Sequence, residues 1–256
     1  MENYGIKQLA AKIFMKPIYS TLPRVAALAA FFIVVLTFAS AGYSQNNGKL
    51  DKAKTRITNS TAGLQAIAAL SGDQSIPAEL IAKARVIAVF PNVEKINMLF
   101  AKAMKGSGLA ARRTADGWAT PVFYQFGMVD KGWTTMESKS PTVVMLFMDD
   151  AAFKKDYIDI SNTVAGPIGS TLNDADKKRL EGVRVVAYGL TGEKLIGVKI
   201  EDSDSIQSNM GIDNAMNKPV FGKKGNEVFW AETSPADMMA ELKDLQSALA
   251  GLTRSK

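Results

Sequence analysis

Residues 76–127, IPAELIAKARVIAVFPNVEKINMLFAKAMKGSGLAARRTADGWATPVFYQFG, constrain the fold most, because several local signals follow one another there in a fixed order. Ser75 stands where an N-cap is wanted, with Pro77 two positions later and Glu79 near the first turn, so a short helix is predicted over 78–84. Residues 85–90 (RVIAVF) are a β-branched run closed by Pro91, the pattern of a buried strand. Residues 96–104 and 109–113 then read as the two arms of a hairpin, with Gly106-Ser107-Gly108 supplying the turn. Asp116-Gly117 reverses the chain again. Trp118, Phe123, Tyr124 and Phe126 mark an aromatic strand, which Pro121 assigns to a sheet edge or a bulge.

The flanking segments extend this pattern. Leu50, Ile57, Leu64, Ile67 and Leu70 fall on one helix face, and Ser71-Gly72-Asp73 stops that helix. Strands are predicted over 132–137 and 142–148, and a helix capped by Asp149 that contains Phe153, Tyr157 and Ile158. A strand pair follows at 183–188 and 194–200, joined by Leu190-Thr191-Gly192-Glu193, with helices over 203–216 and 235–252. No internal repeat is present. The fold class expected is α+β: a single domain with a mostly antiparallel β-sheet or partly closed barrel flanked by helices.

The N-terminus addresses the chain. Lys7, Lys12, Lys16 and Arg24 precede an apolar run over 25–38 (VAALAAFFIVVLTF), and Ala39, Ser40 and Ala41 supply an A-x-A site, so residues 1–41 read as a secretory signal peptide. The rival reading is an uncleaved anchor, since the apolar stretch extends to Ala41. Residues 42–49 form a polar linker and 50–256 the domain. The protein is expected to be exported, either periplasmic or membrane-associated. The net charge is +6. Residues 1–41 contribute four Lys/Arg and one Glu, or +3, which leaves +3 for the rest. So small a surplus gives no support for nucleic acid as a partner.

Composition also limits the chemistry. The chain has no histidine and no cysteine, which removes serine triads, thiolate nucleophiles, disulfides and His- or Cys-ligated metal. Ser107 lacks any base to activate it, and Lys105-Gly106-Ser107-Gly108-Leu109 is not a nucleophile elbow. Asp149-Asp150 and Glu201-Asp202-Ser203-Asp204 precede predicted helices, where carboxylates cap orphan amides; their other reading is a calcium or acid–base pair. No cofactor and no catalytic or metal site is expected.

Cations are the more informative side chains. Lys102, Lys105, Arg112 and Arg113 flank the predicted hairpin tip, where they either meet anionic lipid head groups or stand as solvated arms. Lys52, Lys54 and Arg56 give the first helix a basic start beside its apolar face, so it either lies at a membrane interface or packs on the sheet. The aromatics Trp118, Phe123, Tyr124, Phe126 and Trp133 suit a lipid groove or a sheet core.

On Ile76, Pro77, Leu80, Ile81, Ala84, Ile87, Ala88, Phe90, Pro91, Gly106, Gly108, Gly117, Trp118 and Pro121 the chain resembles the SYLF domain, a lipid-binding module. That family has an I-P-x-x-L-L-x-x-A-K-G-I-A-I-F-P stretch, a Gly-rich G-x-G-V and a G-W-S-x-P. Its later glycine-proline-x-glycine element is matched by Gly166 to Gly169. Its tyrosine-led hairpin is matched by Tyr188, Gly192, Leu195, Gly197 and Val198, although Leu195 does not supply the family's aromatic. The likeness spans roughly residues 57–221. Met98, Leu99, Ala101 and Ala103 stand where paired glycines are usual. The resemblance implies a non-enzymatic phospholipid-binding module that meets an anionic membrane surface, here in a bacterial cell envelope. The alternative is an envelope scaffold that uses the same fold to hold a protein partner.

Overall fold

Strand β1 (Val86–Phe90) is buried at all five positions, so both of its faces must be covered. The covering explains most of the architecture. The structure, a computed structural model, describes residues 24–97, 102–130, 141–200, 208–235 and 238–254. Side chains are described from Asn47 onward, except those of 95–97, 102, 128–130 and 254. The chain divides into two units, residues 1–46 and 47–256, and the second holds the sheet.

Helix α1 (Arg24–Ala69) includes the polar segment expected as a linker. From Asn47 onward it buries Ile57, Leu64 and Ile67 of the stripe read from the sequence, together with Ala53, whereas Leu50 and Leu70 at the ends are half-buried. Gly72, at φ +57°, follows in a 3-10 turn. Helix α2 (Ala78–Lys83) then leads into β1. Ser75 does not cap it: its hydroxyl donates back to the Gly72 carbonyl at 2.9 Å, and Pro77 occupies the cap position.

The other strands are β2 (Glu94–Asn97), β3 (Lys102–Thr114), β4 (Gly117–Trp118), β5 (Val122–Asp130), β6 (Thr142–Phe147), β7 (Tyr157–Asp159), β8 (Val164–Ala165), β9 (Val185–Thr191), β10 (Lys194–Val198) and β11 (Asn209–Ile212). They join one curled half-barrel sheet in the order β10-β9-β6-β1-β3-β5-β11-β7. Neighbours along that path are antiparallel, whereas β8 runs parallel to β9. The remaining helices are α3 (Asp174–Arg179), α4 (Asn214–Phe221), α5 (Gly225–Phe229) and α6 (Ala240–Arg254). The domain is α+β, as the sequence implied.

Alternation along the strands divides the core in two. Ile87, Val89, Leu109, Phe123 and Leu146 face one way, onto α1, α2 and α6. Ala88, Phe90, Tyr124, Phe126 and Phe147 face the inside of the curl, where Phe153 and Phe229 stack at 5.0 Å between ring centres. The curl is therefore filled with rings, and the aromatic segment around 118–126 builds core. Burial raises the pKa of the Tyr124 and Tyr188 phenols well above the ordinary value, so both stay neutral. Tyr188 donates to the Pro167 carbonyl at 3.1 Å, whereas the Tyr124 hydroxyl has no partner among the described residues.

Several expectations are corrected. The predicted hairpin with its tip at 106–108 does not exist: β3 is one strand of 13 residues, and Gly106 and Gly108 sit mid-strand opposite Phe126 and Tyr124. Glycine is needed there for closeness. A Cβ on Gly108 would lie 1.9 Å from the Val89 carbonyl oxygen, and one on Gly106 would lie 2.2 Å from the Phe126 ring. Pro121 falls in a break between β4 and β5, and β5 is an interior strand. Tyr157 and Ile158 belong to β7, since the turn at Ala151–Lys154 stops after one 3-10 turn. The helix expected over 203–216 is replaced from Asn209 by β11, which pairs with both β5 and β7, and α4 starts only at Asn214. Sheet pairing outweighs local propensity there. The strand expected at 132–137, Trp133 and the acidic run 201–204 lie outside the described residues.

Replacing Gly108 by Ala should therefore lower the unfolding free energy by about 3 kcal/mol, the upper end of overpacking, because backbone rather than a side chain must move. Gly127, on neighbouring β5 and with nothing within 4 Å of its would-be Cβ, is the control. Gly127→Ala should be neutral or stabilise by about 0.5 kcal/mol in urea unfolding.

Candidate functional site

The four cations expected at one hairpin tip, Lys102, Lys105, Arg112 and Arg113, do not gather there. Lys105 and Arg113 are eight residues apart on a single strand, roughly 27 Å at the usual rise. Lys102 pairs through its backbone with β2 and β5, and its side chain is not described. Lys105 reaches Glu94 at 2.9 Å in an exposed pair.

The arginines hold the fold together. Arg113 lies 4.3 Å from the Trp118 ring centre and donates to the Ala84 and Ile81 carbonyls at 2.9 and 2.8 Å, closing the C-terminus of α2. Burial, and secondarily the charge of Arg85, lowers its pKa from the ordinary value. Arg112 lies over Trp230 at 5.1 Å and donates to the Phe229 carbonyl. Its Nη2 is 3.9 Å from Glu232, an ion pair too long for a hydrogen bond. Arg56 meets Asp213 at 2.7 Å, with both side chains mostly buried, and stands 5.7 Å over the Phe123 ring. Asp213 also accepts from Met216 N at the start of α4. In the same helix Asn217 is fully buried and exchanges two 2.9 Å hydrogen bonds with the Phe123 backbone, docking α4 on β5. Arginine suits such places because its planar donors satisfy carbonyls while its face stacks on rings.

Among the described residues, two larger grooves could take a ligand. Lys52, Arg56 and Lys105 share the first, about 610 Å³, between α1, the β1–β2 turn and β3. Its lining residues are mostly polar and their charges balance: Asp51 and Glu94 line it as well, Lys105 is paired with Glu94, and Arg56 is turned to Asp213. Lys54 lies outside it, 3.6 Å from Glu241 on α6.

The second groove, about 760 Å³, lies between α2, the end of β6, α3 and the start of β9. Buried Leu80, Leu172 and Val186 with half-buried Met148, Leu180 and Val183 line it with hydrocarbon. Local sequence sets its rim. Asn173 caps α3 by accepting from Asp176 N at 2.7 Å, acids fill the first turn, and Lys177 and Lys178 complement the dipole in the last. Gly182, at φ +71°, then turns the chain into β9. Lys83 and Arg184 complete four cations against Asp149 and Glu181. Arg184 is held by Asp149 at 3.1 Å, whereas Lys83 and Lys178 have no acidic partner among the described residues. None of these cations was singled out from the sequence. The signal was there, an N-cap and a basic last turn bracketed by Leu172 and Leu180, but α3 is too short to show periodicity.

The arrangement offers apolar surface beside cations and no nucleophile with a base. Among the described residues, no group of three or more Asp or Glu side chains is placed to hold a metal ion. Asp149 accepts from Ala151 N at 3.1 Å in a turn, but the cap position of the 3-10 turn belongs to Asp150, whose side chain makes no capping bond. Among the described residues no helix is long and apolar enough to cross a membrane, and the leader-or-anchor expectation for residues 1–41 falls outside the described side chains.

If Arg56 and Asp213 are structural, Asp213→Ala should lower the unfolding free energy by about 3 kcal/mol, by stranding a mostly buried guanidinium and uncapping α4. Exposed Lys52→Ala should change it by less than about 0.5 kcal/mol. Urea titration followed by circular dichroism reads both.

No family model, no curated protein and no solved structure matches this chain.

Proposed function

We propose that this chain is a non-enzymatic lipid-binding domain of the SYLF type, exported to the bacterial cell envelope, which takes phospholipid at the groove between α2, α3 and β9. The observation that carries the reading is the meeting of a hydrocarbon floor with cations that lack acidic partners, Lys83 and Lys178, in one groove. Each lysine near an anionic surface contributes about 1 kcal/mol, and buried acyl methylenes about 0.8 kcal/mol each. The kinship rests on quoted motifs that also touch one another. A Cβ on Gly166 would meet the Tyr188 ring at 2.1 Å, one on Gly197 would meet the Gly166 carbonyl at 2.5 Å, and Gly169 N donates to the Ser75 carbonyl at 2.8 Å. These segments therefore behave as one packed unit.

A second reading, an envelope scaffold without direct lipid binding, is favoured by Tyr157. This ring is 73% exposed on β7, which among the described residues is the last strand of the sheet, so a partner chain would have an aromatic handle beside a strand edge.

Sedimentation with vesicles separates them. The domain should pellet with phosphatidylglycerol-containing vesicles more than with neutral ones, and added salt should weaken the association. Lys83→Glu with Lys178→Glu should abolish that preference. Binding to neither vesicle type overturns the lipid reading, and a specific crosslinked envelope partner in that case supports the scaffold. N-terminal sequencing of the envelope fraction should find a start near residue 42 if the leader is removed, and an intact N-terminus if it is an anchor.

A further inference from the structure

Resting on the lipid-binding reading, we propose that the groove between α2, α3 and β9 seats a single-chain phosphate monoester, a monoacylglycerol phosphate, with its acyl chain against half-buried Met148, Leu180 and Val183 and its phosphate between Lys83 and Lys178. Two observations select this occupant from the lipids at large.

The first is size. A groove of about 760 Å³ falls within the range that holds one drug-sized molecule. Its apolar lining is a single trough formed by the end of β6, the start of β9 and the loops either side of α3. A diacyl lipid brings a second chain, for which this groove has no further apolar lining among the described residues. One chain fits.

The second is charge. Arg184 is engaged by Asp149, which leaves Lys83, Lys177 and Lys178 facing Glu181. Lys177 is held only loosely, 4.0 Å from a fully exposed Asp174, a pair of little worth in water. The surplus is then two positive charges. A phosphate monoester carries about −1.5 to −2 at neutral pH and offers three acceptor oxygens. A carboxylate or a phosphodiester carries one charge and leaves a cation unmatched. Lysine ammonium groups, which bind phosphate as point charges on flexible stems, need no fixed geometry to meet it.

The test is calorimetric titration of the full chain with a short-chain monoacylglycerol phosphate kept below its aggregation concentration. The fatty acid of the same chain length and glycerol phosphate without a chain are parallel arms. Saturable one-to-one binding of the monoacyl phosphate is expected, at least tenfold tighter than the fatty acid, with none detected for glycerol phosphate. Lys83→Gln with Lys178→Gln should weaken it about 30-fold, the product of two lysine contributions, whereas Lys52→Gln in the other groove should leave it unchanged. Equal affinity for the fatty acid overturns the phosphate assignment, and an unaffected double variant overturns the site. Vesicle binding without monoacyl phosphate binding overturns this inference and leaves the lipid reading standing. Binding of neither overturns both.

Discussion

β1 has no solvent face, and the sheet is organised around covering it. Val86 to Phe90 pairs with β3 on one side and β6 on the other. Its alternate side chains enter two separate cores, one beneath the helices and one inside the curl. The β1–β3 pairing depends on Gly108, where a single added carbon would collide with the Val89 carbonyl. A strand buried on both faces tolerates no polar side chain and no shift of register. The centre of the molecule is thus committed to packing, and ligand chemistry is left to the periphery.

That division accounts for the fate of the positive charges. Arg56, Arg112 and Arg113 stack on rings or bond carbonyls at the seams between helices and sheet, so they are spent on cohesion. The lysines on short α3 and at the end of α2 remain in solvent, around a groove whose floor is the outer edge of the first core. Residue type separates the two groups: a planar guanidinium can be buried against carbonyls and rings, whereas a strongly hydrated ammonium stays where water or a mobile anion can reach it.

Much of the framework was legible along the chain. The helix stripe of Ile57, Leu64 and Ile67, the β-branched run of β1 and the paired strands β9 and β10 all declare themselves by local periodicity and turn residues. The Gly106-Ser107-Gly108 segment misled, because glycine serves both as a turn residue and as a place where another chain passes close, and nothing in the neighbouring residues separates the two uses. β11 misled for a related reason: Asn209–Ile212 is a strand only because β5 and β7 offer it open edges. The candidate site was the least legible part. Lys83, Lys178 and Arg184 span just over a hundred residues of chain at the extremes and become neighbours only when α2 and α3 meet the ends of β6 and β9.

The sequence by itself determined the class of architecture and the absent chemistry. The alternation of apolar residues can be buried only as helices against a largely antiparallel sheet, and a chain without histidine or cysteine lacks the side chains that most general-base, thiolate and zinc sites require. Tertiary structure alone decided which cations are internal struts and which surround a groove. Whether an arginine or lysine is free depends on the carboxylates, carbonyls and rings that folding brings within a few ångströms of it, and those partners come from distant parts of the chain.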